Sequence, residues 1–191
     1  MTWLYQRVTI PNYEALAAEL KSTFDVLTRS YTSVQRTQLY ITLYAHEMLP
    51  LSPLLYSFLK SIGLLNRFMK SINSTPNITV SNILHIDSPN NSIKYSFNLP
   101  LSDCNGTYTA FYAADSPLVL SPSGRNLIAP PGMVEHEIDR VECSTPMFIN
   151  ANTPHMGVST RPGRLLMCIR FTPELTRLEV QHICSILKFA E

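Results

Sequence analysis

The apolar residues of this chain change period near residue 74. Before it, Leu16, Leu20, Phe24 and Leu27 recur at helical spacing, which predicts one amphipathic helix starting at Tyr13. Asn12 stands where its side chain would cap that helix. A strand over 4–10 precedes it and ends at Pro11. Residues 28–50 are mixed, with Tyr31, Tyr40, Ile41, Leu43 and Tyr44 suggesting short extended pieces. A second helix is predicted from about 52 to 68, with Leu54, Leu55, Phe58, Leu59 and Ile62 on its buried side.

After Ser74 short β-type runs alternate with turn residues. The runs cover 78–86, 93–101, 108–112, 134–141, 146–150 and 164–171. Ser88-Pro89-Asn90-Asn91, Asn105-Gly106, Ser121-Pro122-Ser123-Gly124, Pro130-Pro131-Gly132 and Arg161-Pro162-Gly163 punctuate them, each supplying the fixed or positive φ that a turn needs. Consecutive short strands of this kind predict a sandwich or barrel. They disfavour a parallel α/β sheet, whose strands alternate with helices. A last helix is expected after Thr172-Pro173-Glu174, with Thr172 as cap and Pro173 in the first turn. The expected architecture is mainly β with flanking helices, built on a double-stranded β-helix (a jelly-roll, cupin-like core). One domain is expected, made of a helical support over 1–73, the β core over 74–171 and a C-terminal helix over 172–191.

Composition narrows the function. With 191 residues, 45% hydrophobic and only 15% charged, the chain can bury a core and is not a disordered polyelectrolyte. A formal net charge of +1 gives no surplus for capturing nucleic acid. Cys104, Cys143, Cys168 and Cys184 form no Cys-x-x-Cys pair, so buried reduced thiols are expected rather than a zinc ribbon or disulfide framework. The N-terminus lacks a basic stretch followed by an apolar run, and no window offers 18 uninterrupted apolar residues. A cytoplasmic protein is expected, for which the Asn73, Asn77 and Asn105 sequons are chance matches.

Candidate chemistry gathers on three residues. His85-Ile86-Asp87 closes the run over 78–86, and i, i+2 spacing on an extended chain sends His85 and Asp87 to one side. His155 follows the 146–150 run and the Asn152-Thr153-Pro154 turn, and a jelly roll can set such distant strands side by side. Two imidazoles and one carboxylate on one face of a metal form the facial triad of non-haem Fe(II) oxygenases, with the opposite face open. Zinc accepts the same donors, so the ligands alone do not select the metal. Arg164, opening the 164–171 run, can turn its guanidinium fork on a carboxylate. Arg161 and Arg170 are the alternatives: Arg161 lies in a Pro-Gly turn, and Arg170 shares the face of Arg164 farther along the strand.

In this order and spacing the chain resembles the Fe(II)/2-oxoglutarate-dependent dioxygenase superfamily. The resemblance runs over His85-Ile86-Asp87, Ser96 to Leu101, Thr107 to Tyr112, and the stretch from Asn150 through His155 and Arg164 to Phe171, roughly residues 78–171. It is similar in particular to small dioxygenase-like proteins of bacteria and phages. The resemblance implies Fe(II) on His85, Asp87 and His155, with 2-oxoglutarate as cosubstrate and its distal carboxylate on Arg164. Asn98 and Tyr108 would line the cosubstrate pocket. It implies hydroxylation, or demethylation through a hydroxylated methyl, of a substrate the sequence does not name, with consumption of O₂.

Other readings follow from residues outside this set. His136 is expected inward with Val134 and Ile138, as a hydrogen-bonded barrel histidine, with Glu135, Glu137 and Asp139 solvated. His182 belongs to the last helix and His46 to a loop or cap. Tyr40, Tyr44, Tyr56 and Phe58 are expected as helix-to-sheet core, or else as the wall of a substrate cleft. Two alternatives to the oxygenase share the fold: a non-catalytic binding or assembly protein, such as a virion component, and a cupin-like metalloenzyme with no use for Arg164.

Overall fold

The computed structural model describes residues 3–30, 40–74, 80–81, 84–87, 95–102, 104–122, 124, 126–130, 133, 135–160 and 164–188. Thirteen strands occur among them: β1 (Tyr5–Arg7), β2 (Tyr40–Tyr44), β3 (Phe68–Ser74), β4 (Val80–Ser81), β5 (His85–Ile86), β6 (Tyr95–Pro100), β7 (Thr107–Ala114), β8 (Val119–Leu120), β9 (Leu127–Ile128), β10 (Glu135–Glu142), β11 (Met147–Asn150), β12 (His155–Ser159) and β13 (Leu166–Phe171). Four α-helices among the described residues flank them: α1 (Tyr13–Leu27), α2 (Ala45–Met48), α3 (Pro53–Ser61) and α4 (Arg177–Lys188). No helix among the described residues is long and apolar enough to cross a membrane.

The strands form two antiparallel sheets. Sheet A has the order β1-β11-β6-β13-β3-β2; sheet B runs β10-β7-β12-β5-β9-β8, with β4 also on β12. From β3 onward the chain crosses repeatedly between them: β3 in A, β4 and β5 in B, β6 in A, β7 to β10 in B, β11 in A, β12 in B, β13 in A. Strands far apart in sequence thereby become neighbours. That order is a jelly roll, mainly β with helices outside it.

Strand alternation gives sheet A two different faces. Phe97, Leu99, Phe148, Met167, Ile169 and Phe171 face the helices and pack with Leu16, Leu20 and Phe24 of α1, Leu55 and Leu59 of α3, and Val180, Ile183 and Leu187 of α4. The other face looks at sheet B, where Met147 and Ile149 meet Phe111 and Val141. Leu166 and Cys168 meet Cys104 and Cys143 on that same side.

Several sequence expectations fail for local reasons. Asn12 adopts φ 54° and makes no side-chain cap; its carbonyl instead accepts from Leu16 N at 3.2 Å. The second helix ends at Ser61, not near 68. Gly63, at φ 72°, lets Leu64 N donate to the Leu59 carbonyl and Gly63 N to the Lys60 carbonyl, a glycine-closed helix end. A single 3-10 turn over Leu65–Arg67 then leads into β3 at Phe68. At the start of α3 the Glu19 carboxylate accepts from Leu54 and Leu55 N at 3.0 and 3.1 Å, which leaves Leu54 outward at 44% exposure. The last helix begins at Arg177, capped by Thr176 rather than Thr172: Glu179 Oε2 accepts from Thr176 N at 2.7 Å, and Thr176 Oγ1 from Glu179 N at 3.3 Å. That reciprocal pair is the Thr-x-x-Glu capping box.

A register shift between Glu137 and Asp139 breaks the alternation expected of β10. His136, paired with Ala113 at the end of β10, is exposed there and lies 3.2 Å from Asp115 Oδ2, and Ile138 is exposed as well; Val134 lies outside the described residues. Tyr40, Tyr44 and Tyr56 are exposed, not core, and of that aromatic group only Phe58 packs against the buried cluster. The four cysteines are free thiols.

Candidate metal centre

Two chain crossings build the site. β12 lies between β7 and β5 in sheet B, and His155 sits directly opposite His85 on one side and Phe111 on the other. Asp87 follows β5, and its backbone N–H donates to the Ala151 carbonyl at 3.3 Å. That bond ties the loop bearing Asp87 to the turn that leads into His155. Each of the three side chains offers one ligand atom, and these atoms lie within 4.8 Å of one another.

The ligand atoms are aimed at a common point. His85 Nε2 is 3.2 Å from Asp87 Oδ1, and His155 Nε2 is 4.0 Å from the same oxygen. The two imidazole centroids are 4.6 Å apart. Two donors about 2.1 Å from one divalent ion and at right angles stand about 3 Å apart. The His85–Asp87 pair meets that separation, and the His155–Asp87 pair lies about 1 Å beyond it.

Hydrogen bonds outside the triad orient it. His155 Nδ1 is 2.9 Å from the Thr153 carbonyl. A carbonyl only accepts, so Nδ1 carries the proton and Nε2 presents its lone pair to the site. Arg170 Nη2 donates to Asp87 Oδ2 at 2.5 Å, leaving Oδ1 as the oxygen nearest both histidines. Burial opposes ionisation of Asp87, but the Arg170 charge, the His85 hydrogen bond and the His155 and His85 charges together hold its pKa well below the usual carboxylate range. The site thus holds an ionised carboxylate, the form a metal needs.

Burial dominates His155. Its pKa falls from 6.5 to about 4, against the pull of Asp87, so the ring is neutral at physiological pH. A group whose folded pKa is depressed lends stability above its unfolded pKa and loses it as pH falls. The metal-free protein is therefore expected to lose stability between pH 6.5 and about 4, by on the order of 3 kcal/mol from this residue. Thermal unfolding of chelator-treated protein across that window checks this. The His155→Asn variant should show a flatter profile, and an unchanged slope would assign the loss to other groups.

Of the cosubstrate candidates, Arg164 is buried at 4% exposure and precedes β13. Arg170 is buried on the same side of the strand, and its Nε and Nη1 make no hydrogen bond among the described residues. Arg161 lies outside the described residues. Asn98 is buried on β6 opposite Cys168 and accepts from Ser96 Oγ at 2.8 Å. Tyr108 packs against the Leu84, Ala110 and Tyr112 cluster, under the Arg140 guanidinium at 4.8 Å. That is the face of sheet B opposite Phe111, so Tyr108 does not join the other candidates. Cys168, between the two arginines, has its thiol pushed up to about 11 by burial, which keeps it protonated and a poor ligand. The clasp of Arg170 on Asp87 is the part that sequence reasoning missed. Its only advance signal is the even offset from Arg164.

No protein-family profile matches the chain, and no curated protein matches it. Among solved structures, the chain is similar to a crystal structure of the non-heme alpha-ketoglutarate-dependent epimerase SnoN from nogalamycin biosynthesis. The match has 13% identity and a TM-score of 0.40, covering 86% of this chain and 76% of that one. Assignment of the jelly roll rests on the strand order itself.

Proposed function

We propose that the chain is an Fe(II)- and 2-oxoglutarate-dependent oxygenase that hydroxylates its substrate, or demethylates it by way of a hydroxylated methyl group. The observation that carries this reading is the gathering of one ligand atom each from His85, Asp87 and His155 within 4.8 Å of one another, beside the buried Arg170, whose Nε and Nη1 make no hydrogen bond among the described residues. The donor set fits the ion: two imidazoles and one carboxylate on one side leave positions for a chelating cosubstrate and for O₂. Bound iron with 2-oxoglutarate would supply the O₂-dependent oxidation of a C–H bond.

The chain's own residues do the rest. Thr153 fixes the tautomer of His155, and Arg170 holds Asp87 by one oxygen so that the other is offered to the metal. Arg164 pairs with the distal carboxylate of 2-oxoglutarate, and Asn98, opposite Cys168, lines the same face between Arg164 and Arg170. Arg170 keeps Nε and Nη1 without a hydrogen bond among the described residues, and buried donors of a cation are costly to leave so, so an anionic cosubstrate suits this side of the site.

Anaerobic titration of the metal-free protein with Fe(II) and 2-oxoglutarate tests the reading through the weak visible charge-transfer band of the chelate. The band should appear, and should be lost in His155→Ala. No band at saturation means the protein is not a 2-oxoglutarate oxygenase. Arg164→Ala should weaken 2-oxoglutarate binding by roughly 30- to 5,000-fold, the range for breaking a buried charge pair, with affinity for the metal alone unchanged. Arg161→Ala should bind normally; if it fails instead, the anchor is Arg161.

A further inference from the structure

The sheet A face that carries Arg170 does not end at the jelly-roll interior. Arg170 pairs in register with Lys70 of β3, and Lys70 with Tyr44 of β2. The next row runs from Cys168 through Ile72 to Thr42. Directly opposed residues of an antiparallel pair share a face, and the alternate positions Leu43 and Ile41 go to the helix-side core. Tyr40, Thr42 and Tyr44 are exposed. The inner face of the sheet therefore continues as an open shelf. At about 4.8 Å between strands, Lys70 stands one strand from the arginine that clasps Asp87, and Tyr44 stands about 10 Å from it.

The shelf has an aromatic end and a positive middle. Tyr44 stacks on His46 with ring centroids 5.9 Å apart and an interplanar angle of 24°. The ion pairs among the described residues do not include Lys70. The acids flanking this row are engaged, Glu47 by Tyr44 N at 2.7 Å and Asp87 by Arg170. A lysine ammonium beside an exposed tyrosine ring attracts an anion and offers flat apolar area next to the charge.

We infer that the primary substrate is an aromatic or other flat unsaturated acid, with a carboxylate or phosphate on Lys70 and its body along Tyr44 and Ile72, reaching past Arg170 to the metal. This rests on the oxygenase reading and names the substrate class for that site. Lys70 would be the residue that selects the anion, and Tyr44 the one that selects the flat body.

The test uses the full chain loaded with Mn(II) and saturating 2-oxoglutarate, which occupies the cosubstrate arginines. Uptake of Mn(II) is read first from the loss of its free-ion EPR signal. The probes are 4-hydroxyphenylacetate, phenyl phosphate and the neutral 4-hydroxyphenylacetamide, and the readout is Mn(II)-enhanced relaxation of their ring protons. At least one anion should be relaxed, with an apparent affinity tenfold or more above that of the amide. Lys70→Ala should remove that preference, Lys70→Arg should keep it, and Tyr44→Ala should weaken anions and amide alike, all with Mn(II) uptake unchanged. Relaxation of the amide equal to that of the anions, no relaxation of any probe, or an unaltered preference in Lys70→Ala overturns the inference and leaves the oxygenase reading standing. Failure to take up Mn(II) overturns both.

Discussion

Replacing Asp87 by alanine is expected to lower affinity for a divalent metal by at least a hundredfold and to destabilise the protein by about 3–5 kcal/mol. The two effects have different origins. Metal affinity falls because the only carboxylate in the triad is removed, leaving two imidazoles and no anionic ligand. Stability falls because Arg170, at 5% exposure, loses the carboxylate its Nη2 is bonded to. Glu174 supplies only a weaker attraction to that guanidinium. A double variant, Asp87→Ala with Arg170→Met, should recover most of the stability and none of the metal binding, since it removes the stranded charge together with its partner. Urea unfolding and calorimetric titration with Mn(II) separate the two. Full stability in the single variant would show that Arg170 is balanced by other groups.

Phe97→Ala should be the most destabilising single truncation on the opposite face of sheet A, costing about 3–5 kcal/mol. The ring is fully buried. It stacks on Phe148 at 4.3 Å between centroids and 10° between planes, and meets Phe58 at 6.0 Å. Truncation leaves Phe148 and Phe58 without their partner ring, so the loss includes the aromatic pairing as well as the transfer of apolar area. Denaturant unfolding measures it. A cost below about 1.5 kcal/mol would mean that the helices close on the gap.

What was legible in the sequence follows the range of the forces concerned. The period-2 runs and their turn residues mark most of the strands of the jelly roll, because alternation and turn chemistry are local. The same holds for His85-Ile86-Asp87, where i, i+2 spacing on extended chain is enough to pair two side chains. β12 was not legible: His155 reads as a residue after a turn, and its role as first residue of a strand depends on β7 and β5 on either side. The hold of Arg170 on Asp87 joins positions 83 apart in sequence, and no local pattern encodes it. Tyr108 and His136 show the limit of parity arguments. Parity places Tyr108 correctly only once it is known which face of β7 is inner, and the shift between Glu137 and Asp139 breaks the alternation that would join His136 to Ile138, while the strand end leaves His136 exposed.

The two faces of β13 also have a practical meaning for engineering. Leu165, Met167, Ile169 and Phe171 serve the helix-side cluster, while Arg164, Cys168 and Arg170 belong to the side that looks at the metal ligands. A mutational library restricted to odd positions of this strand would search for thermal tolerance, and one restricted to even positions would search for altered reactivity. Because the two sets lie on opposite sides of one sheet and share few neighbours, their gains should combine with little interference. A single eight-residue stretch of the gene thus offers two largely separate handles for directed evolution.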